Sequence, residues 1–298
     1  TCSDYLWQGI TVEGNPNRNQ FPISGSDSTG IYYQGALFMR NEATIENAEI
    51  AVNLSTRSIA RRGGIVQATE SNFVNNRYDV FMPPYRNFTN SGTTANNLSR
   101  LSDCQFTTTD ALNSNDPNPN THVVLYGVDG IRILGCTFEN TRTGLEFDYQ
   151  LGNGVIAVDA SFTVDDYCAA HSMGSCTDLK ESTFNNLRHG VIASWWLNPK
   201  ACRVRNSNFD HCIRAIRNEG VHLARFTGND IAVGNTALIT DITNLDYALL
   251  DEGIILRHCN GFTVEGNYIH PALDINDDPE TTLTIGTRAD GTGGQPNT

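Results

Sequence analysis

The chain reads as an all-β solenoid of the parallel β-helix type with loop insertions, and three observations predict it. A short phrase recurs eight times, most clearly as ILGCTFENTRTGLEF (Ile133 to Phe147), ESTFNNLRHGVIA (Glu181 to Ala193) and VRNSNFDHCIRAI (Val204 to Ile216). Its apolar anchors are Ile45, Phe73, Phe106, Phe138, Phe184, Phe209, Ile231 and Ile269. They lie 22 to 46 residues apart, the span of one solenoid coil with extra length inserted in some. The 26 glycines and the short runs rich in Val, Ile, Phe and Thr favour turns and brief strands. Nowhere is the 3.6-residue apolar period of an amphipathic helix sustained.

Each position in the phrase has a structural reading. Successive side chains of a strand point to opposite faces, so Phe138 enters the core while Thr137 and Glu139 face out. Two residues before the anchors stand Ala43, Ser71, Cys104, Cys136, Ser182, Ser207, Asn229 and Asn267, all small enough to stack inside a narrow lumen. Two residues after come Asn47, Asn75, Thr108, Asn140, Asn186 and His211. Asn tolerates the unusual dihedrals of a tight bend and can bond its own backbone or the next rung, so this column reads as structural. Four residues past the anchors, Glu49, Arg77, Asp110 and Arg142 alternate in sign, which predicts ion pairs between rungs worth about 0 to 1 kcal/mol each. The repeat runs nearly end to end, so residues 1–298 read as one elongated, monomeric domain of about 9–11 coils. The opening LWQGITVEG and the tail ADGTGGQPNT both break off in mid-coil, as a segment of a longer chain would.

Charge and cysteine content narrow the function classes. The net charge of −13, with two lysines against eighteen arginines, opposes binding to a phosphate backbone, so no nucleic-acid partner is expected. No run of 18 apolar residues occurs, so no membrane span is expected. Eight cysteines show no zinc-ligand spacing. Cys168 and Cys176 bracket a short loop and read as a disulfide, which places the chain in an oxidising, extracellular setting. Cys104 and Cys136 occupy one repeat position and are expected to stack in neighbouring coils, as a disulfide or as buried thiols.

The phrases GCTFENTRTGLEF, STFNNLRHGVIA and CNGFTVEGNYI, with LWQGITVEG and ATIENAEIAV, resemble right-handed parallel β-helix repeat proteins of the pectin-lyase-like superfamily. Within it they are most similar to large secreted surface proteins of Bacteroidota-type bacteria, over roughly Leu6 to Ala272. The resemblance implies a single-stranded solenoid of three-faced coils, export to the cell exterior or bacterial cell surface, and association with polysaccharide. Polygalacturonase-like members carry Asn-Thr-Asp, Asp-Asp, Gly-His-Gly and Arg-Ile-Lys blocks in order. This chain offers only Asp165-Asp166 and Arg188-His189-Gly190, and neither Lys180 nor Lys200 lies in a lyase-like motif. A non-catalytic adhesin, spacer or glycan-binding module is therefore the expected function, with a polysaccharide lyase or glycoside hydrolase as the alternative.

The phrase register locates candidate chemistry. Eight and ten residues past the anchor, outward positions carry Glu146 and Asp148, then Ile192 and Ser194, then Arg217 and Glu219. Carboxylates at i and i+2 on one strand face lie about 7 Å apart, a separation suited to an inverting glycosidase, so Glu146 and Asp148 are the candidate catalytic pair. Trp195, Trp196, His189, Arg217 and Glu219 are the candidate substrate-binding residues, and ion pairing across rungs is the competing reading. Asp165-Asp166, Asp251-Glu252 and Asp277-Asp278-Pro279-Glu280 are the densest oxygen-donor clusters, with Asp165, Asp166, Asp277 and Asp278 as the candidate ligands. Calcium is the one cofactor they would suit, though adjacent acids alone do not make its six-to-eight-oxygen shell. The long insertions Met82 to Asn97, Asn113 to His122, Asp159 to Thr177 and Thr236 to Glu252 are expected to gather at one corner and wall a groove.

Overall fold

A computed structural model of the chain describes residues 6–25, 30–55, 59–112, 119–145, 147–198, 200–234 and 251–273, and the backbone alone of 284–290. Short strands wind into a right-handed parallel β-helix with three stacked all-parallel sheets, one of nine strands and two of eight. A representative coil runs Ile131–Leu134, Thr137–Asn140 and Asn153–Val158, one strand to each sheet, and the next coil repeats the order. The strands carrying the anchors form one sheet, called here the anchor sheet. Those preceding them form the arginine sheet, and those following form the nine-stranded sheet.

The anchors meet as their register requires. Phe73, Phe106, Phe138, Phe184 and Phe209 pair in sequence across neighbouring strands, with Ile45 before them and Ile231 and Ile269 after. Their rings stack with centroids 4.6 to 4.8 Å apart and planes within 7° of parallel, all fully buried. Strand spacing sets this distance, since one rung of a sheet is about 4.8 Å. Each ring removes enough apolar surface from water to contribute about 1.5–3 kcal/mol, and stacking adds about 0.5–1.5 kcal/mol per pair.

The ladder dictates what faces it. A Cβ at Gly154 would fall 2.8 Å from the Phe184 ring, and one at Gly190 would fall 2.6 Å from the Phe209 ring, so glycine is required there. Earlier in the stack the same level holds a buried polar network instead. His122 Nδ1 lies 2.6 Å from Asp79 Oδ2, Asn76 donates to Asp79 Oδ1 at 2.8 Å, and the His122 ring tilts against Phe106 and Phe138.

The two flanking columns explain the turns. Asn47, Asn75, Asn186 and His211 all adopt positive φ between 53° and 56°, so His211 fills the asparagine role. Thr108 and Asn140 are absent from that left-handed set, and in both of their coils the chain leaves on a long excursion before the next strand. In the column two before the anchors, Asn229 donates to Asn267 at 2.7 Å, while Cys104 and Cys136 are buried free thiols. Among the described residues the charge ladder shows an ion pair in its first step, Arg77 with Glu49 at 3.1 Å. Asp110 accepts from Thr143 instead, and Arg142 donates to the Gln150 carbonyl.

The insertions leave at three different corners. Met82 to Asn97 joins the nine-stranded sheet to the arginine sheet, whereas Asn113 to His122 joins the anchor sheet to the nine-stranded sheet. Asp159 to Thr177 contains the ordinary strand Phe162–Asp165, then an antiparallel ribbon, Tyr167–Ser172 with Ser175–Lys180, between the arginine and anchor sheets. Most of Thr236 to Glu252 lies outside the described residues. A single walled groove built from all four loops is therefore not formed.

Candidate functional site

The predicted catalytic pair does not share a strand. Thr141 to Gly152 lengthens its coil, so the strand that follows is Asn153–Val158, and Ile156 and Val158 pair with Ile192 and Ser194. Glu146 lies outside the described residues. Asp148 opens the 3-10 turn Asp148–Leu151, with its Oδ2 2.9 Å from Arg188 Nε as a charge contact without hydrogen-bond geometry. Arg217 and Glu219 do share the outer face of one strand, where they pair with each other at 2.9 Å.

His189 is not a surface group either. It is buried at the start of strand His189–Ser194, with Nδ1 2.9 Å from Asn153 Oδ1 and Nε2 buried without a partner. Burial foremost, then Arg214, Arg188 and Arg217, push its pKa well below the imidazole range, so it is neutral at physiological pH. Asp165 is committed to Arg205 and to Asn206 at 3.2 Å, and Asp166 reaches Asn206 at 3.3 Å. Burial first, then the neighbouring Asp165 charge, raises the Asp166 pKa. Among the described residues no three His, Cys, Asp or Glu side chains converge as metal ligands, and Asp277 and Asp278 lie outside them. The Cys168–Cys176 disulfide is present, with Cα atoms 5.8 Å apart.

Trp195 and Trp196 are exposed at the corner between the nine-stranded and arginine sheets. The Asp159 carboxylate holds their loop by accepting from the N–H groups of Trp196, Leu197 and Asn198 at 2.7–3.1 Å. Burial would raise the Asp159 pKa, but these three N–H groups and the Lys200 ammonium hold it below the usual carboxylate range. Trp195 lies over Gly220, where an added Cβ would fall 1.6 Å from the indole nitrogen.

The densest unneutralised charge is on the arginine sheet. At one outward position, successive rungs carry Arg100, Arg132, Thr163, Arg203, Arg225 and Thr263, in register across five strand pairs. None of these four arginines has an ion-pair or hydrogen-bond partner among the described residues, and Arg132, Arg203 and Arg225 are exposed. Elsewhere Arg61, Arg77, Arg188, Arg205, Arg214 and Arg217 each contact a carboxylate. Like charges opposite one another on a sheet destabilise it, and no carboxylate among the described residues pairs with this row.

Two clefts meet on this row and share Arg203. One, of about 410 Å³, includes Arg132, Thr163 and Ala201, and the other, of about 460 Å³, includes Arg205, Arg225 and Glu265. The loop bearing Trp195 and Trp196 ends at Ala201 on one side of the strip, and the ribbon Tyr167 to Lys180 rises from the other.

The row was readable from the same register that gave the anchors. Arg100, Arg132, Arg203 and Arg225 each stand six residues before an anchor, as do Gln67 and Thr263. Thr163 escapes that count because the ribbon separates it from Phe184. No protein-family model, curated protein or solved structure matches the chain.

Proposed function

We propose that this protein is a non-catalytic binding module of the cell exterior or bacterial cell surface, which holds an extended acidic glycan along its arginine sheet. The single observation that carries this reading is the row of unpaired guanidinium groups in a chain of net charge −13. Adjacent rungs are about 4.8 Å apart, so Arg203 and Arg225 present a short-period cationic strip to a linear polyanion running along the solenoid axis. Guanidinium binds carboxylate or sulfate through two parallel N–H donors. Trp195 and Trp196, exposed in the loop that leads into the strand of Arg203, supply apolar ring surface for a sugar face. The disulfide suits an oxidising compartment, and the resemblance to polysaccharide-associated β-helix surface proteins points the same way.

Affinity electrophoresis through gels containing polygalacturonate, alginate, chondroitin sulfate or neutral dextran tests it. Retention by the acidic polymers that weakens with salt, without unsaturated products or new reducing ends, is the expected result. Equal retention by dextran would overturn the charge argument, and turnover would favour a lyase or hydrolase.

A further inference from the structure

The ribbon Tyr167–Ser172 with Ser175–Lys180 differs from the rest of the molecule in having almost no core. Every residue from Ala169 to Lys180 is exposed, and Met173 sits at the tip. An isolated two-stranded ribbon is marginal in water, so its cross-strand disulfide is the principal restraint. That disulfide is itself at the surface, unlike the free thiols of Cys104, Cys136, Cys202, Cys212 and Cys259, which are all buried. The imidazole of His171 stands beside it, with Nδ1 3.6 Å from Cys168 Sγ, and the Ala170 carbonyl oxygen is 3.0 Å from the same sulfur.

We propose that Cys168–Cys176 is a thiol–disulfide exchange site for an external dithiol, with Cys168 as the leaving sulfur and His171 as its proton source. A thiolate of the dithiol attacks the exposed Cys176 Sγ, forming a mixed disulfide and breaking the bond to Cys168. The departing Cys168 sulfur takes the Nδ1 proton of His171 in its imidazolium form and then donates its S–H to the Ala170 carbonyl, and the neutral imidazole left behind regains a proton from water, which took one up from the attacking thiol. The second thiol of the reductant attacks the mixed disulfide and expels the Cys176 thiolate, which takes up a proton. Two electrons and two protons pass to the protein, and the reductant leaves as a disulfide. Reduction frees the ribbon. A Cβ on Gly135 would lie within 2.9 Å of both Tyr167 and Lys180, so the foot of the ribbon packs tightly on the coil bearing Arg132. That the freed ribbon alters glycan retention rests on the reading above; the exchange chemistry does not.

The test treats the folded protein with dithiothreitol, traps thiols with iodoacetamide and locates them by peptide mass spectrometry. Cys168 and Cys176 open while the five buried thiols stay unlabelled, and His171→Ala slows opening about tenfold by removing help to the leaving group. With glutathione as a single-thiol probe, the trapped adduct sits on Cys176. Opening at an unchanged rate in His171→Ala, or an adduct on Cys168, would overturn the assignment, with an unchanged melting curve showing the variant is folded. Reduction that leaves acidic-polymer retention unaltered would overturn the coupling to the arginine strip while the exchange site stands.

Discussion

The nine-stranded sheet and the arginine sheet stand on the same rungs over the same core, yet an outward column of the second leaves its charges unpaired where the first pairs them. On the nine-stranded sheet Arg214 reaches Glu252 at 2.9 Å across one rung, Arg217 reaches Glu219 at 2.9 Å, and Phe81, Val124, Ile156 and Ile192 fill the earlier rungs of the column that Arg217 continues. On the arginine sheet one outward column lines up four guanidinium groups without an ion pair among the described residues, while the next outward column holds the pair of Arg205 with Asp165. Charges answered within the fold hold register, and charges left unanswered are available to a ligand. The contrast is reached without changing the backbone, only by which residue occupies the outward position of each rung.

Breaking the paired face has the largest expected effect on stability. Glu252→Gln leaves Arg214 without its buried counter-charge and lowers unfolding free energy by about 3 kcal/mol in urea titration, while acidic-polymer retention is kept. Breaking the unpaired face does the reverse. Reversing Arg203 and Arg225 to Glu weakens polymer binding about 100-fold, or about 2.7 kcal/mol, with stability within about 0.5 kcal/mol of the parent. Loss of stability in that variant would show the row to be structural.

His189 sharpens the comparison through pH. Its folded pKa lies below its unfolded value, so its contribution is full above about pH 6.5 and is lost as the pH falls toward the folded value, with a slope of up to about 1.4 kcal/mol per pH unit. His189→Gln flattens that slope, as chemical melts between pH 4.5 and 7.5, on the order of three units, would show. The smallest effect belongs to Arg217→Ala. Its pair with Glu219 is half exposed, so stability changes by about 0 to 1 kcal/mol and polymer binding stays within twofold, about 0.4 kcal/mol.

The interior was legible because its rules are local. Phe73, Phe106, Phe138, Phe184 and Phe209 announce themselves by size and by the small residue two positions earlier. Asn47, Asn75 and Asn186 announce the bend, and Cys168 with Cys176 announces its loop. The exterior was less legible because it depends on counting through insertions. Counting eight and ten residues past Phe138, as past Phe184 and Phe209, puts Glu146 and Asp148 on a strand only if the three coils are equally long. The stretch Thr141 to Gly152 breaks that offset, so Ile156 and Val158 take the outward positions. His189 looked like surface chemistry in Arg188-His189-Gly190, but it packs inside, neutral, among three arginines.

The sequence by itself therefore determined the solenoid, its anchor column and its stapled loop, since alternation along a strand and the exclusion of water from aromatic rings act on each short phrase separately. Only the tertiary structure decided at which corner each insertion emerged, that Thr163 joins the register of Arg132 and Arg203, and that Arg100, Arg132, Arg203 and Arg225 are left without ion-pair partners among the described residues. Residues on adjacent rungs meet across about 4.8 Å of space, whatever number of residues separates them along the chain.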